Sequence, residues 1–88
     1  MKKTIYSKRI SELVTCIDDY LSGAISVEFY QVEVAKTEVE IVLIEERELR
    51  MLLSNHENAV ELIRFTTEDV LSMHAEVQRF RDELRSWI

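Results

Sequence analysis

The residues whose types could carry chemistry are two histidines, a single cysteine and a few adjacent carboxylates. A metal site on a helix needs two ligands on one face, as Glu-x-x-His or His-x-x-x-His places them. His56 and His74 stand eighteen residues apart and neither belongs to such a pair. The sequence therefore predicts structural or surface imidazoles and no metal. A nucleophilic cysteine needs a base or a positive field to hold a thiolate. Cys16 has Asp18 and Asp19 close by in sequence, which oppose that state, so it reads as a small buried hydrophobe. Asp18–Asp19, Glu45–Glu46 and Asp82–Glu83 are sequence neighbours, which a helix points in different directions. They read as solvated charge and not as an acid–base pair. Gly23 is the only glycine, so a glycine-rich phosphate loop cannot be drawn. The expectation is a protein that is not an enzyme and takes no cofactor.

Charge suggests a different kind of work. The net charge is −6, and it is unevenly spread. Residues 12–62 hold twelve acids against Lys36, Arg47 and Arg50, a local balance of −9. Such a body repels phosphate backbones and steers toward basic partners. Lys2, Lys3, Lys8 and Arg9 form the only basic cluster free of acids, at the chain start, where a solvated end is the simpler reading. Arg79, Arg81 and Arg85 alternate with Glu76, Asp82 and Glu83, so no basic recognition helix exists. Nucleic acid is not an expected partner. Lys8 and Arg9 also interrupt any signal-peptide pattern, and no stretch approaches the ~20 apolar residues of a membrane span. With one cysteine and no pairing, the expected location is the cytoplasm, with no membrane contact.

The elements that must position these residues are helical by composition. Apolar residues make up 47% of the 88, enough for one core, while one Gly and no Pro leave little to build tight hairpins. Ile10, Leu13, Val14, Ile17 and Leu21 recur at three- and four-residue spacing, with Ser7 as a start signal and Gly23 past the end. From Ser26 to about Leu53 two stripes appear. Ile25, Val32, Ala35, Val39, Val42, Leu43, Leu49 and Leu53 gather on one side, and Val27, Tyr30, Val34, Ile41 and Leu52 roughly opposite. The same region alternates β-branched residues, so a hairpin near 27–44 stays open as an alternative. Ser54 with Glu57, and Thr66 with Asp69, fit capping boxes around a short third helix ending near Phe65. Val70, Met73, Val77, Phe80, Leu84 and Trp87 keep a three–four rhythm throughout.

These readings predict an all-α fold: an antiparallel bundle of three to four helices with a long central helix. It is one domain over residues 1–88, with a short basic segment, 1–6, expected to fray. A helix apolar on two sides must be covered on both, by its neighbours, by a second copy in a homodimer, or by a partner. The expected partner-facing residues are Glu33, Glu38, Glu40, Glu45 and Glu46 as an acidic face, with Arg47, Tyr30 and Trp87 as anchors.

The run Tyr20-Leu21-Ser22-Gly23-Ala24-Ile25-Ser26-Val27-Glu28-Phe29 resembles the helix–glycine–helix entry of small bacteriocin immunity proteins of the colicin D type. That resemblance implies a cytoplasmic acidic bundle that occludes the basic active site of a nuclease toxin. It carries over no functional residues, and where such a chain would hold a long acidic loop this one has only Glu68-Asp69. Acting as an inhibitor of a basic protein is the expected function. The alternative is a chaperone-like or structural subunit that works through homo-oligomerisation.

Overall fold

The first helix, α1, runs Ser7–Leu21 and buries Ile10, Leu13 and Ile17. Its stripe is the one the spacing predicts. Its start is not: Ser7 is already helical, and Tyr6 occupies the capping position without a side-chain cap bond. The helix closes as expected on Gly23, whose φ of +85° lies where a β-carbon is disfavoured. The computed structural model describes residues 4–42, 46–66 and 69–88. Lys2, Lys3, Leu43, Glu45, Thr67 and Glu68 lie outside them.

Ser26 caps the second helix, α2 (Val27–Glu40), by accepting from the Phe29 amide at 3.1 Å, while Glu28 complements the dipole in the first turn. Here the structure departs from one rod spanning Ser26 to Leu53. Helical geometry stops at Glu40, and Ile41 is extended, with φ −88° and ψ 92°. The third helix, α3, starts afresh at Arg47 and reaches Thr66. Among the described residues there is no strand, and 27–40 is helical, so the hairpin alternative is not realised.

This division accounts for the two stripes. On α2 the buried set is Tyr30, Val34 and Thr37, followed by Ile41, whereas Val32, Val39 and Val42 are exposed. On α3 the buried set is Leu49, Leu53, His56 and Val60. The first stripe is exposed at Val32, Val39 and Val42 and buried at Leu49 and Leu53, because one helical phase does not carry across the break, while the second is the covered face of α2. Two helices with their own phases each need only one covered face.

The helix caps differ from the expected ones as well. Ser54 and Glu57 sit inside α3, so they box no helix start. Thr66 turns its hydroxyl back to the Leu62 carbonyl at 2.7 Å. Asp69 itself caps the fourth helix, α4 (Val70–Arg85), accepting from the Leu71 amide at 3.0 Å and from the Ser72 hydroxyl at 2.8 Å. Met73, Val77, Phe80, Leu84 and Trp87 are buried as their rhythm predicts, and Val70 is exposed.

The four helices form an antiparallel ring: α1 packs on α2, α2 on α3, α3 on α4, and α4 back on α1. Ion pairs fix the seams. Arg9 at the start of α1 reaches Glu40 at the end of α2 (2.9 Å), Glu28 at the start of α2 meets Arg64 near the end of α3 (3.2 Å), and Asp18 meets Arg81 (2.9 Å). The chain start is tied down as far as it is described. Thr4 donates to Glu46 at 2.7 Å, and the Tyr6 hydroxyl accepts from the Val42 amide at 3.3 Å. No described helix is long and apolar enough to cross a membrane.

Candidate functional site: an acidic groove between the second and third helices

The acids expected to form one face are divided by the helix α2 that carries them. Glu33 and Glu40 turn toward α1, where Arg9 meets both, at 3.5 and 2.9 Å. Lys36 adds a contact to Glu33 at 3.5 Å. That side is internally neutralised. Glu38 turns the other way, to α3, where its neighbour is another acid, Glu57.

Glu46 is buried and accepts from Thr4 and from the Ile5 amide, so it anchors the chain start. Arg47 opens α3 and is exposed. Glu45 lies outside the described residues. Tyr30 is fully buried and Trp87 nearly so, which makes both part of the core in this fold and leaves neither available as a surface anchor.

What the fold does assemble is an acidic groove. Glu38 and Glu57 bring two carboxyl groups together, with Glu61 one turn along from Glu57. Partial burial, the hydrogen bond shared with Glu38 and the charges of Glu38 and Glu61 push the Glu57 carboxyl up to about 7. One carboxyl oxygen of Glu57, Oε1, is shut off from water and has no hydrogen-bond partner. Buried polar atoms without a partner are few in folded proteins, and among the described residues Arg81 Nε is in the same state. Beside Glu57 opens a cavity of about 190 Å³, with Val34, Ala35 and Val60 as apolar walls and Glu57, Glu61 and Gln31 as polar ones. Gln31 and Glu61 also line a larger groove of about 480 Å³, where Tyr20, Val27, Phe65, Val70 and Met73 supply the apolar surface. Arg64 lies on its rim, bonded to Gln31 and Glu28.

The floor of the smaller cavity is Tyr30 and His56. His56 is fully buried, and its ring lies parallel to Phe80 with centroids 3.8 Å apart. Its Nδ1 is 2.7 Å from Glu76 Oε2 and its Nε2 is 2.6 Å from the Tyr30 hydroxyl. A carboxylate can only accept, so Nδ1 carries the proton and Nε2 accepts from Tyr30. Burial holds the imidazole below its ordinary range, against the opposing pull of Glu76, and holds the Tyr30 phenol far above its own. Arg79 grips Glu76 through two nitrogens, at 2.8 and 3.0 Å, and keeps that carboxyl below its usual range despite burial. A phenol this strongly protonated and this deeply covered is a poor nucleophile. The chain of bonds is a structural relay.

Cys16 is half-buried, and burial, then Glu33 and Asp19, push its thiol up. His74 stands edge-on to Tyr20 at 5.4 Å. Among the described residues no three potential ligands gather as a metal site would require.

Sequence spacing could have located His56. Leu49, Leu53, His56, Val60 and Ile63 keep one three–four rhythm, which puts the imidazole in the core face of a helix. No such signal exists for Glu57 beside Glu38, since the two meet only through the pairing of separate helices. Comparisons with protein-family models, with curated proteins and with solved structures found no match to this chain.

Proposed function

We propose that this chain is a small protein-binding module of the inhibitor or immunity type, whose α2–α3 groove seats a basic side chain of a partner protein. The observation that carries this reading is a cavity lined by the Glu57 and Glu61 side chains together with apolar Val34, Ala35 and Val60, with one Glu57 carboxyl oxygen buried and unpartnered. A lysine or arginine matches both parts, with its methylene stem against Val34, Ala35 and Val60 and its charge beside Glu57 and Glu61. Glu38 contributes a further negative charge. The excess of acid over the whole chain would speed encounter with such a partner.

The test is a titration with a hexa-arginine peptide followed by backbone amide NMR. Shifts concentrated at Val34, Glu38, Glu57, Val60 and Glu61, fading at high salt, support the groove. Shifts of equal size at Asp18, Asp82 and Glu83 would show only diffuse attraction and reject it.

A second reading has its own observation. Phe29, Val32 and Val39 leave an apolar stripe on the outer side of α2, with 53%, 55% and 75% of each residue exposed. It would suit a homodimer or an assembly subunit that pairs α2 against a second copy. Light scattering across a wide concentration range separates the two readings. A monomer at every concentration removes the second.

A further inference from the structure

His56 joins three helices through two bonds, and one of them must reverse its direction when the ring takes up a proton. It stands on α3, bonds α4 through Glu76 and α2 through Tyr30, and lies fully out of water. In the neutral ring every polar atom is matched. Nδ1–H donates to Glu76, and the Tyr30 O–H donates to the Nε2 lone pair.

A proton added at Nε2 turns that acceptor into a donor. The Tyr30 oxygen can still accept the new N–H, but its own hydrogen then needs another acceptor. The charged and titratable groups around the pair come from three helices. From α1 come Cys16 and Tyr20, the latter stacked on Tyr30 at 5.0 Å. From α3 comes Glu57, next to His56 in the chain and turned to Glu38. From α4 come Glu76, already held by Arg79, and Arg79 itself, which repels a second cation and is also bonded to Glu83. The new imidazolium therefore meets a carboxylate that is already neutralised, while the hydrogen of a buried hydroxyl loses its acceptor.

We propose that the Tyr30–His56–Glu76 relay is a proton-operated latch: uptake of one proton by His56 reverses its bond to Tyr30, strands the Tyr30 hydroxyl hydrogen and loosens α2 from α3. The relay concerns the bundle itself and stands whether or not the groove binds a basic partner. Since the folded ring resists the proton more than the unfolded chain does, its contribution is complete above the unfolded value of about 6.5. It fades as pH falls toward the lower folded value. In that window the unfolding constant rises by up to about tenfold per pH unit, the limit for one proton.

The experiment combines imidazole NMR titration of the full chain with denaturant unfolding between neutral and acid pH. His74→Gln assigns the two imidazole signals. His56 is expected to titrate below the ordinary histidine value, and to move upward in Tyr30→Phe, where the neutral ring loses its donor. Unfolding is compared between Glu57→Gln and Glu57→Gln/His56→Gln, so that the opposing titration of Glu57 is absent from both. The acid-side rise in the unfolding constant is expected in the first and lost in the second. Amide exchange on the wild type should show Tyr30–Thr37 opening before α4 as pH falls. A His56 that titrates at or above its ordinary value overturns the latch. So does an acid limb that survives His56→Gln, or a bundle whose four helices open together.

Discussion

Glu57 on α3 faces Glu38 on α2, and partial burial first, then this acid neighbour, push the Glu57 carboxyl up so that it keeps its proton to about pH 7. The unfolded chain gives up that proton near 4.5. The folded state therefore binds more protons between those values, and the Glu57 contribution is present below the unfolded value and lost as pH rises through about 7. Glu57→Gln should consequently stabilise the protein at alkaline pH, by about 1 kcal/mol once solvent screening of this partly exposed group is allowed for. Near pH 5 the substitution should change little. Urea unfolding at the two pH values is the check, and a uniform effect at both would remove the shared proton.

Arg9 neutralises the opposite side of α2 through Glu33 and Glu40. These pairs are partly open to water, so Arg9→Ala is expected to lower stability by less than about 1 kcal/mol. It leaves Glu40 uncompensated and Glu33 with Lys36 alone, and should tighten binding of a basic peptide at low salt. Thermal unfolding and a peptide titration measure the two effects separately.

Gly23 stands at φ +85° with open space around it, so an added β-carbon meets backbone strain and no clash. Gly23→Ala is expected to cost about 1–2 kcal/mol from the left-handed conformation alone. Denaturation of the variant checks this, and an unchanged midpoint would mean that the α1–α2 turn adopts another form.

Leu53 is fully buried, whereas Val39 is mostly exposed, although both lie on one side of the rod that the sequence suggests. Leu53→Ala is expected to cost about 2–5 kcal/mol through lost burial and a residual cavity. Val39→Lys should stay within about 0.5 kcal/mol of the parent, as a substitution on an outer face does. Comparable losses at both sites would return the continuous helix to consideration.

That contrast also marks where the sequence stops being readable. α1, α4, Gly23 and the Ser26 cap are local matters, each settled by a stripe or by one conformational preference, and the residues declare them. The end of α2 is not declared. Glu40 and Ile41 carry no Gly, Pro or Asn, and the β-branched residues around them suit helix interior, strand and extended link about equally. Once the break is missed, the phase of everything after it is displaced, and Ser54 with Glu57 takes on the look of a helix start. The acidic site was legible only as an excess of charge. Which acids Arg9 would neutralise, and which would face Glu57, depends on how α1, α2 and α3 are arranged around one another, and no window of sequence holds that information.

The proposed α2–α3 groove is one that accepts a cation beside Glu57. Calorimetry of hexa-arginine binding near pH 6.5, repeated in buffers of different ionisation enthalpy, reads the protons exchanged on binding. A cation seated there favours the charged carboxylate, so net proton release is expected from the wild type and none from Glu57→Gln. Binding without proton release, or release that persists in Glu57→Gln, would contradict the claim.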